Sequence, residues 1–381
     1  MDLRHLTPLN APVGAFATAY LDVSHDSENA EHEGRLRWSE QRSALEQQGA
    51  DAETLEALDA AVRDARSAVG RAGRVLVARA GTLLLDRDLP EPPDPPRATW
   101  SPLPDLLPLL LDGPEPTTVV VARVDKNGGE ILLADPADSE SNPEPVQRVE
   151  GERYPTHKVR GGGWKHLKMQ HTVENTWRSN VSALAERIDR QVSQSGARVL
   201  VLAGEEQSRK LLLDNLGTRA ASIATEVEHS GLRSGGDDDA LAEAVAEAAR
   251  EVATRERHQV LDRFDQLTGR PDGAVARGLA QVLAALRSEQ VDTLLIDGNV
   301  AREDVVWIGE QPSQVALDRA DLEATGAQPL AQVPVDAALL RAAAGTGAEF
   351  YPLGGGRTGL VGHPVPDGVA ALLRWPLATG A

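Results

Sequence analysis

The chain has 381 residues, 41% of them hydrophobic, and a formal net charge of −19; that length exceeds one comfortable core and predicts two or three domains. It has no cysteine, which excludes disulfides, thiolate metal sites and thiol nucleophiles, and its overall acidity argues against indiscriminate nucleic-acid binding. The N-terminus lacks a basic region followed by an apolar run, and no stretch approaches the roughly 20 apolar residues of a membrane span, so a cytoplasmic protein is expected.

In chain order, AFATAYLDVS (15–24) is an apolar run that predicts a strand. Polar helix-forming stretches follow from about Glu28 to Glu46 and from Asp51 to Ala68. RVLVARAGTLLLDRDL predicts two strands about a glycine turn. PEPPDPP (90–96) is a semi-rigid proline-rich loop. PDLLPLLLDG predicts a short helix, and PEP marks a boundary near residue 115.

The next segment opens TTVVVARVDKNGGEILLAD, two strands around Asn127-Gly128-Gly129, a hairpin signal. From about Lys165 to Val192 the pattern is helical: Val173, Trp177, Val181, Leu184 and Ile188 recur at spacings of 4, 4, 3 and 4 and make one apolar stripe. ARVLVLAG reads as a buried strand, EEQSRKLLLDNL as a helix and TRAASIATEVE as another strand. SGGDDD precedes a long helix from about Asp239 to Leu267; Asp237–Asp239 are read as its cap, complementing the helix dipole, rather than as a magnesium site.

The last segment starts near Pro271. AVARGLAQVLAAL predicts a helix, VDTLLIDG and VVWIG strands, and Asp318–Thr325 and Asp336–Gly345 helices, before the chain closes with GVAALLRWPL. Strands alternating with helices indicate an α/β fold class.

Three motifs point nowhere. GGGRTG (354–359) satisfies G-x-G-x-x-G, but the following LVGHPVPDG cannot open the helix that a dinucleotide site needs. His157, His166 and His171, nine and five residues apart, place no pair on one helical face, and no H-E-x-x-H occurs. No G-x-S-x-G supports a serine nucleophile. No metal, cofactor or catalytic residue is assigned.

The fourth motif is different. Residues 1–115 carry 20 acids and 11 bases, 116–270 carry 25 and 21, and 271–381 carry 13 and 7. All five lysines lie beyond residue 115 and before 271, three of them (Lys158, Lys165, Lys168) within eleven positions. Arg153, Arg160, His157, His166 and His171 crowd the same region, and no acid interrupts Arg153–Lys168. A solvated loop before a basic helix start is the plain alternative, and three points oppose it. Cations at a helix N-terminus oppose the dipole. Gly161, Gly162 and Gly163 cost entropy on ordering. Trp164 gains nothing at a tip unless it packs on something. Flexible backbone, concentrated positive charge and an aromatic platform suit phosphate-rich, partly single-stranded RNA. The candidate RNA-binding residues are therefore Arg153, Lys158, Arg160, Gly161, Gly162, Gly163, Trp164, Lys165, His166 and Lys168.

The order of a strand hairpin, a GGG loop, a long helix, VLVLAG, another helix and a sandwich ending GVAALLRW resembles the archaeal and eukaryotic class-one peptide-chain release factors and Pelota. It resembles more closely their bacterial branch, which includes Balon-like ribosome-hibernation factors. The resemblance covers the whole chain and is firmest over 117–216 and 291–376. It implies three domains, each a mixed sheet with packed helices: an N-terminal α/β domain (1–115) facing the decoding region, a middle domain with the GGG loop and long helices (116–268), and a C-terminal α/β/α sandwich (269–381).

Those factors present Gly-Gly-Gln, typically followed by Ser-Ala-Leu-Arg-Phe, to the peptidyl-transferase centre. Laid over this chain, Gly162 and Gly163 take the glycines, Trp164 the glutamine, and Leu167 and Lys168 the Leu-Arg. The glutamine helps position hydrolytic water. An indole has one N–H donor and no acceptor, and Gln170 lies six residues on, poorly placed to substitute. The family's codon-reading Asn-Ile-Lys-Ser is absent from 1–115, which has no lysine. The resemblance thus implies a non-enzymatic factor in the vacant ribosomal A site, for hibernation or stress protection. Its partners would be rRNA and a translational GTPase such as EF-Tu, with no membrane. The alternative is a peptidyl-tRNA hydrolase or rescue factor using Gln170 or His166. A third reading is an acidic scaffold that never meets the ribosome.

Overall fold

The computed structural model describes residues 3, 6, 9, 13–24, 30–64, 71–112, 118–125, 128–134, 145–150, 164–227, 238–268, 270, 274–298, 304–354 and 365–376. The chain folds as two compact units, one made of Met1–Pro114 with Arg257–Ala381 and the other of Glu115–Glu256.

The first unit begins with strand β1 (Phe16–Asp22), helices α1 (Ala30–Gln47) and α2 (Ala52–Arg63), strands β2 (Gly73–Arg79), β3 (Thr82–Leu89) and β4 (Arg97–Ser101), and helix α3 (Leu107–Asp112). The strands form an antiparallel sheet, β3-β2-β1-β4. Alternate residues divide its faces. Ala17, Ala19, Leu21, Leu76 and Ala78 pack with Trp38, Leu45, Leu55 and Leu58 of α1 and α2. Phe16, Tyr20, Val75 and Val77 face the other way. The exposed rim of β4 is blunted by Gln48, whose side chain donates to Ala98 O and accepts from Trp100 N. Arg74, almost fully buried, is balanced by Asp86 through a two-pronged ion pair of 2.6–2.7 Å, and that hydrogen bonding raises its pKa.

The second unit holds β5 (Val119–Asp125), β6 (Gly128–Ala134), β7 (Pro145–Glu150), α4 (Trp164–Ser195), β8 (Val199–Gly204), α5 (Glu206–Asn215), α6 (Thr218–Ser222), β9 (Ala224–Glu226) and the first part of α7 (Asp238–Thr268). Its mixed sheet runs β7-β6-β5-β8-β9. β8 reads as an unbroken apolar run, and β5 as one up to Arg123, because both faces are covered. Val120, Ala122, Leu200 and Leu202 meet α4, α5 and α6; Val119, Val121, Val199 and Val201 meet Leu241, Val245 and Ala248 of α7. Gly204, at φ +118°, ends β8 where any Cβ would collide with the Val124 carbonyl.

The C-terminal part of the first unit comprises β10 (Val275–Arg277), α8 (Leu279–Arg287), β11 (Val291–Asp297), β12 (Val305–Ile308), β13 (Val315–Ala316), α9 (Arg319–Ala324), β14 (Ala331–Pro334), α10 (Val335–Thr346), β15 (Glu349–Gly354) and β16 (Val369–Leu373). A mixed sheet β10-β16-β11-β15 lies between two helical layers, and a small antiparallel sheet β13-β12-β14 stands beside it. Leu261 and Phe264 of α7 cover one face with Leu295, Tyr351 and Leu372. On the other face Leu294, Ile296, Phe350 and Ala371 join Val282 and Leu286 of α8 and Leu339 and Leu340 of α10. That same core includes Phe16, Tyr20, Val75, Val77, Leu106, Leu107 and Leu110, and α3 packs on α10. Tyr20 places α3: its buried hydroxyl donates to Asp105 O at 2.8 Å and accepts from Leu109 N at 3.2 Å. The two ends of the chain therefore share one hydrophobic core.

The α/β class expected from the sequence is observed, with two local corrections. TRAASIATEVE is not one strand: it forms α6 and then β9, because both carboxylate oxygens of Asp189 accept from Gly217 N at 3.0 Å and start a helix there. AVARGLAQVLAAL is not one helix: it forms β10, a turn at Gly278 with φ +79°, and α8. The start of α8 is capped from 88 residues away by Asp367, whose Oδ2 accepts from Leu279 N at 2.9 Å. β15 ends at Gly354, so all but the first residue of GGGRTG falls outside the described residues.

Candidate functional site

The basic segment belongs to the βαβ unit in which β5 and β8 run parallel and α4 crosses between them. Helix α4 has 32 residues, about 48 Å at 1.5 Å per residue. Its apolar stripe is buried where described: Val181, Leu184, Ala185, Ile188 and Val192 enter the core with Val120, Val124 and Leu202. Val173 and Trp177 of the expected stripe have no described side chains. Polar ties fix the same half. Asp189 caps α6, and Ser182 Oγ donates to Asn215 Oδ1 at 3.2 Å.

Gly129 has a different role from the turn assigned to it in the sequence. It lies in β6 opposite Val124, and a Cβ there would strike the Leu184 side chain and approach the Arg123 carbonyl to 2.9 Å. The missing side chain lets α4 sit directly on the sheet. Gly129→Ala is expected to push the helix outward and cost about 1–3 kcal/mol, measured by urea unfolding, since the backbone carbonyl cannot yield as Leu184 can.

Of the expected RNA-binding residues, Arg153, Lys158, Arg160, Gly161, Gly162 and Gly163 lie outside the described residues. Trp164, Lys165, His166 and Lys168 lie in the opening turns of α4, which begins at Trp164. Trp164 is therefore about 25 Å up the helix axis from Val181, the first described core residue. Lys165 and Lys168, three residues apart, occupy neighbouring positions on one helical face. The first turn of a helix leaves backbone N–H groups without intrahelical partners and carries the positive end of its dipole. The sequence leading into and opening this helix holds five Lys/Arg and no acid from Arg153 to Lys168. The positioning residues Gly129 and Asp189 escaped the sequence reading because each acts through a partner distant in sequence.

Comparisons with known proteins bear on this unit. Bacterial archaeo-eukaryotic release factor family 2 matches residues 118–270, from β5 through the end of α7. The uncharacterized protein Rv2629 of Mycobacterium tuberculosis strain H37Rv is 34% identical, over 98% of this chain and 97% of its own length. Among solved structures, the archaeal translation termination factor aRF1 is 17% identical over 98% of this chain and 96% of that one, with a TM-score of 0.26. Archaeoglobus fulgidus Pelota is 16% identical over 99% and 92%, with a TM-score of 0.34. The family match spans the parallel strands, the glycine-rich segment of the sequence and the helix that starts at Trp164, and this part of the chain, residues 118–270, belongs to bacterial archaeo-eukaryotic release factor family 2.

Proposed function

We propose that this release-factor-like protein binds the ribosome without catalysing a reaction and occupies the vacant A site in hibernation or stress protection. One observation carries the reading. Within the segment that matches the family, α4 begins at Trp164, the position that corresponds to the glutamine of Gly-Gly-Gln. An indole offers one donor and no acceptor, so it cannot hold hydrolytic water as an amide does. The loop keeps the means to dock and has lost the means to cleave.

In this reading Arg153, Lys158, Arg160, Lys165 and Lys168 meet rRNA phosphates. Gly161–Gly163 allow close backbone approach, and Trp164, with His166 beside it, stacks near the peptidyl-transferase centre. The domain of residues 1–115 fills the decoding region without reading a codon, 116–268 carries the loop, and 269–381 faces a translational GTPase such as EF-Tu. The setting is cytoplasmic; no described helix is long and apolar enough to cross a membrane.

Ribosomes stalled with labelled peptidyl-tRNA provide the test. The protein is expected to co-sediment with them and to leave the peptide attached. Multiple-turnover release of peptide would replace this reading with a hydrolase.

A further inference from the structure

Seven large apolar side chains are exposed among the described residues, and three of them, Val305 (49%), Leu317 (44%) and Leu330 (52%), belong to the small sheet β13-β12-β14 and its margins. Scattered single exposures need no explanation, but a cluster does. In β12 the fully buried Val306 and Ile308 turn one face to the core shared by the unit. Val305 and Trp307 occupy the opposite face, in register with Pro334 and Gln332 of β14. That outer face has a thin cover. Among the described residues its buried apolar members are Ala316, Leu322 and Ala327, with Trp307 half-buried against them and the Arg319 guanidinium 5.6 Å above the indole.

The charges around this surface are mostly of one sign. Across residues 304–334 there are five acids (Asp304, Glu310, Asp318, Asp321 and Glu323) and a single base, Arg319. All five acids are exposed, and Arg319 is already engaged with Glu323 at 2.8 Å. Such a rim repels phosphate and attracts cations. We propose that the Val305–Trp307–Leu330 surface docks a protein segment carrying both lysine or arginine and apolar side chains, and that it does not contact nucleic acid. Leucine-like groups of the partner would cover Val305, Leu317 and Leu330, while its cations face Asp304, Asp318 and Asp321. A patch of this size fits a weak, transient contact. The surface lies in the part of the chain, 269–381, that the proposed function turns towards a protein partner, but the inference rests on its own exposed side chains and charge and not on the basic segment before α4, so the two can fail separately.

The test uses the full-length protein and fluorescence anisotropy of a labelled synthetic peptide in which lysine and leucine alternate. A length-matched peptide of lysine and serine is the control. The lysine–leucine peptide is expected to bind at least about tenfold more tightly than the control, with an affinity that falls as salt rises. Leu330→Ser and Val305→Ser are each expected to weaken it about tenfold. Leu84→Ser, an exposed leucine of β3, leaves it unchanged. Asp318→Asn with Asp321→Asn flattens the salt dependence. Both apolar positions are solvent-facing, so unchanged melting of these variants certifies the fold. Equal binding of the two peptides, or indifference to Leu330→Ser and Val305→Ser, overturns the proposal. So does a single-stranded oligouridylate that binds the wild type and is lost in those variants, or a homodimer that Leu330→Ser dissociates.

Discussion

Replacing Lys165 and Lys168 together by glutamate is expected to abolish co-sedimentation of the protein with ribosomes at moderate salt. Each neutralised phosphate contributes a slope of about −0.9 in log affinity against log salt, close to tenfold in affinity at about 0.1 M. Losing two contacts therefore costs about a hundredfold, and charge reversal adds repulsion to that loss. Circular dichroism and the melting temperature of the double variant check that the fold is retained. Unchanged pelleting of the double variant would show that the cationic start of α4 is not what holds the protein to RNA.

The second large effect concerns the shared core. Leu107 of α3 and Leu340 of α10 are both essentially inaccessible and belong to one cluster, although 232 residues separate them in sequence. Leu340→Ala is expected to destabilise the protein by about 2–5 kcal/mol, and the loss should not stay local. Hydrogen exchange should rise together in β1 and β2 of the N-terminal sheet and in β11 and β16 of the C-terminal one. Leu107→Ala should do the same from the other side. Exchange that accelerates only in the half carrying the mutation would mean two separate cores.

What the sequence made legible is what short-range pattern determines. The stripe of α4, the apolar runs of β5 and β8 and the glycines before Trp164 located the long helix within a few residues of its observed bounds, Trp164–Ser195. The misreadings share a physical cause. Helix α6 starts where Asp189 reaches Gly217, and α8 where Asp367 reaches Leu279. In each case the capping carboxylate comes from a remote part of the chain, so nothing local announces the helix. Strand β4 has the unpromising sequence RATWS and exists because β1 and Gln48 pair with it. Gly129 looked like a turn residue because Asn127-Gly128 precedes it, yet its missing Cβ is needed for Leu184. The core common to both chain ends was invisible for the same reason, since no window of sequence contains both α3 and α10. Of the candidate site, the start of α4 and its concentration of lysine were readable, because charge and glycine content need no tertiary context.

A cryo-EM map of the protein bound to vacant ribosomes tests the central claim most directly. The account predicts density for the 160–168 finger inside the A-site side of the peptidyl-transferase centre, with the Trp164 indole against an rRNA base and Lys165 and Lys168 at phosphates. An empty A site with the protein attached elsewhere, or a finger folded back on its own domain while the protein is bound, would contradict it.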